Sequence, residues 1–400
     1  MFRIISLIAL CAFTVAIFIL FFIDEQKKRA PHINPFITFI IPCYNDGHII
    51  KQTIQSIYNS YNKERFELIV VNDCSKDNSA EVIKSMQSEY DFRFIDLPKN
   101  GGKSDALNIA SQQAQYDMIC FVDADGIINP IALNDVLERF HSDSRMWAIS
   151  CPYTPSNMDS FWAKMQDIEY TMLKFVQWCY NVTSALAARW GCLVVRKQAF
   201  NEVGMFSLHA ITEDMDLALK MNKHHRHVQQ SPCEIKSEVP YTFKMWLKQK
   251  IRRCSGGMQA FLSYVSVWIR NPLHMIFTLL LFSVSIFGTI ALVTRLIFFG
   301  EIIDIFISLL DILTLKHGWN FIMALYGNQI ITNSIQASAF TLLSLPYVLL
   351  AIKSKDQRWK VLLLFPYTLF YMSLYSIVGL YSTWLGIYKF ATLKKWVRSW

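Results

Sequence analysis

Four short apolar runs punctuate the first half of the chain: FITFII (36–41), FELIVV (66–71), MICFV (118–122) and MWAIS (146–150). The stretches between them carry apolar residues at helical spacing. Runs this short, bounded by turn residues, predict strands buried on both faces. Their alternation with helices predicts an α/β domain with a mostly parallel sheet. Ligands on such sheets sit beyond the carboxyl ends of the strands. Polar clusters occupy that place here: YND after 41, NDCSKD after 71 and DADG after 122.

Longer apolar runs flank this domain. Residues 2–23 are nearly uninterrupted and are followed by DEQKKR. The run is too long for the apolar core of a signal peptide and has no small-residue cleavage pattern, so it predicts a retained transmembrane helix. The cluster Lys27, Lys28 and Arg29 should stay cytoplasmic, which puts the following domain inside the cell. Further apolar runs lie at about 273–298, 331–352 and 361–389, and the basic loop KSKDQRWK (353–360) should also be cytoplasmic. Segment 301–314 is apolar but short and carries Asp304 and Asp311, as an interfacial or re-entrant piece would. Three simple C-terminal spans would leave the basic tail KKWVRSW outside, against the charge rule, so either 301–330 or 361–389 is not a simple segment. Residues 241–270, rich in Lys, Arg and aromatics, suit helices at the cytoplasmic membrane surface. The resulting division is an N-terminal transmembrane helix (1–24), a soluble α/β domain (32–240), interface helices (241–270) and a C-terminal transmembrane region (271–400).

Composition agrees with that division. The 400 residues are 53% hydrophobic with a net charge of +8, enough for one soluble domain plus several spans. The basic excess belongs to membrane-proximal segments, and no separate basic stripe with stacking aromatics points to nucleic acid. Nine cysteines show neither CxxC pairs nor Cys/His metal spacing; Cys43, Cys74, Cys120 and Cys151 lie on or beside the strand-like runs, as reduced core thiols would.

The chemistry gathers at the strand ends. In FVDADG (121–126), Asp123 and Asp125 leave a buried strand one residue apart, and such a pair can clamp Mg²⁺ or Mn²⁺ against a diphosphate. By itself the pattern also occurs in ordinary strand-end turns. In VNDCSKDNS (71–79), Asp73 could accept hydrogen bonds from a base or ribose, or close an Asx-turn. In NGGKSDALN (100–108), Gly101 and Gly102 allow a tight turn into a helix, whose N-terminus and Lys103 could face phosphates. In TEDMDLALK (212–220), Glu213 and Asp214 open a helix that Thr212 could cap, a position where acidic residues are common on dipole grounds alone.

Taken in order with PCYNDG (42–47) and QKIRR (249–253), these motifs resemble the family 2 processive glycosyltransferases, above all poly-N-acetylglucosamine synthases, with hyaluronan, chitin and cellulose synthases as relatives. The resemblance implies a GT-A-type cytosolic domain flanked by transmembrane helices in the plasma (inner) membrane. It implies that Asp73 and the PCYN segment hold the nucleotide, that Asp125 ligates a divalent Mg or Mn ion, and that Asp123 contacts the nucleotide-sugar or the metal shell. Lys103, Gln249 and Arg252 would serve the nucleotide-sugar, and Asp214 would be the general base. The implied partners are a UDP-sugar donor, a polysaccharide or lipid-linked acceptor, membrane lipid and a small membrane accessory subunit.

One position departs from the family. Relatives carry Gln-x-x-Arg-Trp, whereas this chain has Gln249, Arg252 and Arg253, so an arginine stands where a tryptophan walls the acceptor sugar. Trp246, about 10 Å earlier along a helix, cannot replace it. Trp190 is a second acceptor-platform candidate or a core residue, Glu213 a third acceptor-side residue, and His209 a loop residue within reach. Three functions follow: transfer of N-acetylglucosamine to a growing β-linked chain coupled to export, transfer of one sugar to a lipid-linked acceptor, and an inactive scaffold. The four aspartates Asp73, Asp123, Asp125 and Asp214 argue against the last.

Overall fold

The computed structural model describes residues 34–179, 191–231, 233–270 and 363–393. The four apolar runs form β1 (Ile37–Cys43), β2 (Phe66–Asn72), β4 (Met118–Val122) and β5 (Met146–Cys151). Alternation along β1 shows why: Ile37, Phe39 and Ile41 enter one buried cluster while Ile40 enters the other. The sheet is therefore covered on both faces. α1 (Ile50–Ser60), α2 (Ser79–Met86) and α4 (Pro130–Ser142) pack on the first face through residues such as Ile54, Ile83 and Val136. α3 (Lys103–Gln112), α6 (Lys197–Glu202) and α7 (Glu213–Lys223) pack on the second through Leu107, Phe200 and Leu217.

Further strands complete the architecture: β3 (Arg93–Asp96), β6 (Tyr153–Pro155), β7 (Cys192–Arg196), β8 (His227–Gln230) and β9 (Ile235–Ser237). The main sheet runs β3-β2-β1-β4-β7-β5-β8, and β6 pairs with β9 in a small second sheet. β3, β2, β1 and β4 are mutually parallel, as are β5 and β8. β7 alone runs antiparallel, between β4 and β5. That inserted strand brings the end of β4 against the start of β7, with Val122 opposite Cys192. Cys43, Cys120, Cys151 and Cys192 are buried free thiols, with Cys120 Sγ 3.3 Å from Cys192 Sγ.

Beyond the domain, α8 (Phe243–Ser263) begins at Thr242, whose side chain accepts from the Met245 N–H, and α9 (Val265–Arg270) follows a break at Tyr264. A helical turn at Leu364–Pro366 and a π-helical turn at Tyr367–Tyr371 lead into α10 (Met372–Leu393), which lies along α8. α5 (Phe161–Cys179) joins this group: Met165, Ile168, Trp246, Tyr367 and Tyr371 form one buried cluster. Among the described residues no helix is long and apolar enough to cross a membrane, α10 included. The runs at 2–23, 273–298 and 331–352 lie outside the described residues.

Candidate active site

β4 delivers its carboxylates on a closed turn. The Gly126 N–H donates to the Asp123 carbonyl at 2.8 Å, and a Cβ on Gly126 would meet that oxygen and the Gly191 carbonyl at 3.1 and 3.2 Å. Thr53 Oγ1 donates to the Ala124 carbonyl at 2.6 Å. On the far side, Ile127 exchanges backbone hydrogen bonds with Lys236, which seats β9 beside the turn. Ser237 Oγ thereby reaches Asp125 Oδ2 at 2.9 Å. Burial, and then the charge of Asp123, pushes the Asp125 carboxyl up to about 7, with the Ser237 hydrogen bond pulling the other way.

The Gly101–Gly102 turn is held from below. Gly102 has φ +86°, in the left-handed region that favours glycine. The N–H groups of Gly101 and Gly102 donate to the two carboxylate oxygens of buried Asp73, each at 2.8 Å. Asp73 therefore fixes the entry to α3. That turn aims Lys103 across the cleft, where Nζ lies 2.8 Å from Asp123 Oδ1 and 2.9 Å from Glu213 Oε1. The lysine is a bridge between two carboxylates and not the lone point charge its sequence context suggests. Burial acts to lower its pKa, but Asp123 and Glu213 together raise it above the ordinary lysine value.

Glu213 and Asp214 open α7 and have opposite electrostatics. Glu213 is buried, yet Lys103 and then Arg252 hold it down at about 2. Asp214 is pushed up to about 6 by burial and then by Glu213, although the Met215 N–H donates to its Oδ1 at 2.8 Å. Thr212 occupies the N-cap position but makes no capping hydrogen bond, and its buried hydroxyl finds no partner among the described residues. Gly256 of α8 packs on the Thr212 side chain so closely that an added Cβ would lie 2.5 Å from Thr212 Cγ2.

The expected residues Lys103, Asp123, Glu213, Asp214, Arg252 and Arg253 line one cleft. Tyr153 and Thr212 also line it; Tyr153 escaped the sequence reading, because β6 is only three residues long. Asp125 lies next along the β4 turn, Asp73 holds the glycine turn, and Gln249 turns away to accept from Tyr170 Oη at 3.4 Å. Trp246 is core, donating from Nε1 to Tyr371 Oη at 2.8 Å. His209 is exposed, and its carbonyl accepts from Gln259 at 3.2 Å. Trp190 lies outside the described residues.

Among the described residues no three His, Cys, Asp or Glu side chains surround one point. Asp123 and Asp125 nevertheless fit a hard divalent cation. They offer oxygen donors only, they repel one another, and Mg²⁺ or Mn²⁺ is commonly held by one or two carboxylates with substrate phosphate completing the shell.

Carboxylates and cations are thus grouped beyond the ends of the parallel strands of a GT-A-type sheet. Residues 38–204 match the family model Glycosyl transferase family 2. The chain is similar to the poly-beta-1,6-N-acetyl-D-glucosamine synthase of Staphylococcus aureus (strain COL), 30% identical over 247 residues, which are 60% of each chain. The Staphylococcus epidermidis protein of the same name is 30% identical over 229 residues, 56% of this chain and 55% of the relative. The match thus spans 60% or less of these curated relatives. In structure the chain is similar to the mannosyltransferase PcManGT from Pyrobaculum calidifontis, solved in complex with GDP-Man and Mn²⁺, with a TM-score of 0.55 and 17% identity over 96% of this chain and 99% of that one. That likeness establishes the shared fold.

Proposed function

We propose that the chain is an inverting membrane glycosyltransferase that moves a sugar, N-acetylglucosamine, from its UDP donor to a β-linked polysaccharide acceptor and couples synthesis to export. The observation that carries this reading is the pair at the start of α7. Glu213 stays ionised to hold Lys103 in place, while Asp214, beside it, has a carboxyl pushed up to about 6. Two neighbouring carboxyls driven apart by their surroundings have separate tasks, and a base works best when its pKa lies near the working pH. The name shared by the staphylococcal relatives supports N-acetylglucosamine as the sugar.

Each residue then has work that its position permits. Asp73 holds the glycine turn, so the first N–H groups of α3 face the phosphates. Arg252, exposed on the cleft wall, presents a planar fork to the diphosphate. Asp125, with Asp123, would hold a divalent cation, whose chemistry there would be to screen the charge that develops on the departing diphosphate. Asp214 accepts the proton of the acceptor hydroxyl as that oxygen attacks the anomeric carbon. The bond from that carbon to the diphosphate oxygen breaks with its electron pair leaving on UDP, and the configuration inverts. No protein nucleophile is needed.

The flanking apolar runs support a plasma-membrane location with the domain on the cytoplasmic side, and the Lys, Arg and aromatic content of α8 supports a position for it at that boundary. The full chain in detergent or vesicles should release UDP from UDP-N-acetylglucosamine with Mg²⁺ or Mn²⁺ and stop when the metal is chelated. Asp214→Asn should reduce transfer by about 10²–10⁴-fold with the fold retained. Absence of metal-dependent UDP release from every UDP-sugar tried would overturn the reading.

A further inference from the structure

Arg253 is a cleft residue that the mechanism above leaves idle. Successive residues of an α-helix point about 100° apart. Arg252 and Arg253 therefore line one cleft from different directions. Arg252 faces the α7 carboxylates and depresses Glu213. Arg253 turns instead to Tyr153 of β6 and Tyr170 of α5. It donates through Nη2 to Tyr153 Oη and through Nη1 to Tyr170 Oη, the latter at 3.1 Å. The guanidinium carbon stands 5.8 and 5.5 Å from the two ring centres, which themselves meet edge-on.

No carboxylate among the described residues lies within ion-pair distance of Arg253. Glu169, an acidic group whose charge reaches it, is paired with Lys250 at 2.6 Å. A cation taken out of bulk water is ordinarily paired. This one is held in position by two neutral phenols, which fix the fork without neutralising it. Its remaining N–H groups have no acceptor among the described residues, and the side chain forms part of the cleft wall.

We infer that Arg253, oriented by Tyr153 and Tyr170, is an anion subsite that recognises a phosphate or carboxylate carried by the acceptor. The inference rests on the glycosyltransferase reading and gives it a substrate class: an acidic acceptor, whether the charge lies on a lipid phosphate or on an acidic sugar. The subsite belongs to the acceptor side because its partners come from β6 and α5, whereas the residues assigned to the donor come from β4, α3 and the Arg252 direction.

The test uses the full chain in detergent, UDP-N-acetylglucosamine and three synthetic acceptors sharing one N-acetylglucosamine disaccharide. One is a neutral octyl glycoside, one carries an octyl phosphate, and one carries a uronic acid at its reducing end. Charged hydrogen bonds of this kind predict kcat/KM for one charged acceptor about tenfold or more above the neutral one. The ratio should collapse toward one in Arg253→Trp and fall only partly in Arg253→Lys, which keeps the charge and loses the fork. Because the ratio is taken within each preparation, a general loss of activity does not enter it. Preference for the phosphate arm assigns the charge to a lipid anchor; preference for the uronate arm assigns it to an acidic glycan. Equal rates on all three acceptors by an active enzyme would sink the subsite alone. So would a preference that survives in Arg253→Trp, or an Arg253→Trp effect confined to the donor KM. No UDP release with any acceptor would remove the glycosyltransferase reading and the subsite together.

Discussion

At the scale of single residues, the site is defined by how unlike two adjacent carboxyls can be. Asp214 is raised to about 6 by burial and Glu213, while Glu213 is held at about 2 by Lys103 and Arg252. A base must be ionised to work, so transfer should rise with pH through an apparent midpoint near 6 and level off above it. Glu213→Gln removes one charge that raises Asp214 and frees Lys103, which acts to lower it; both move the midpoint down. An unchanged midpoint in the rate profile of that variant would show that Asp214 is not the titrating base. These two acids were visible in the sequence because residue type and order survive without coordinates. Their division of labour was not. It depends on Lys103, 110 positions upstream, reaching Glu213 across the cleft. Ser237, which donates to Asp125, carried no signal at all: an isolated serine on a three-residue strand looks like any other until β9 is seated beside the turn.

At the scale of elements, α8 does more than its composition announces. Its basic and aromatic character predicts a helix turned toward headgroups, yet Lys250 is fully buried against Glu169 and Arg253 faces Tyr153. Periodicity could not reveal this, because the acidic and phenolic partners lie on α5 and β6. The same helix also braces the loop that leads into Asp214. Gln259 accepts from the Ile211 N–H at 2.9 Å and donates to the His209 carbonyl at 3.2 Å. Gln259→Leu keeps the volume and deletes both bonds, leaving partly buried backbone groups unpaired at a cost of about 1–3 kcal/mol. Because small misplacements of a catalytic group are costly, kcat should fall by about 10–100-fold while donor KM moves little. Steady-state kinetics and thermal unfolding on one preparation check both halves. The strands tell a similar story. β1, β2, β4 and β5 announced themselves by continuous apolar runs, whereas β3, with its half-exposed sequence RFID, and β7, reversed within the sheet, did not.

At the scale of the whole molecule, the α/β domain and the C-terminal helices meet through polar groups buried in an apolar junction. Lys250 Nζ lies 2.6 and 2.8 Å from the Glu169 carboxylate, Tyr371 Oη donates to the same carboxylate, and the Trp246 indole donates to Tyr371. The ion pair is oxygen- and nitrogen-satisfied, but deleting one member strands the other. Lys250→Met should therefore destabilise the protein by about 3–5 kcal/mol, and pairing it with Glu169→Leu should recover much of the loss. Melting temperatures of the two single variants and the double variant measure this directly. If Lys250→Met melts with the parent, the junction is not the fastening described.

That junction also decides how the molecule can be cut. Ending the chain at residue 270 looks natural, since the sheet and both acidic motifs lie before it. Such a cut would remove Tyr371, uncover the Trp246 ring and leave the Glu169 carboxylate one donor short. The freed domain would carry a greasy, half-satisfied face about two helical turns from Arg253, and it should clump in water unless detergent or the missing helices are returned to it.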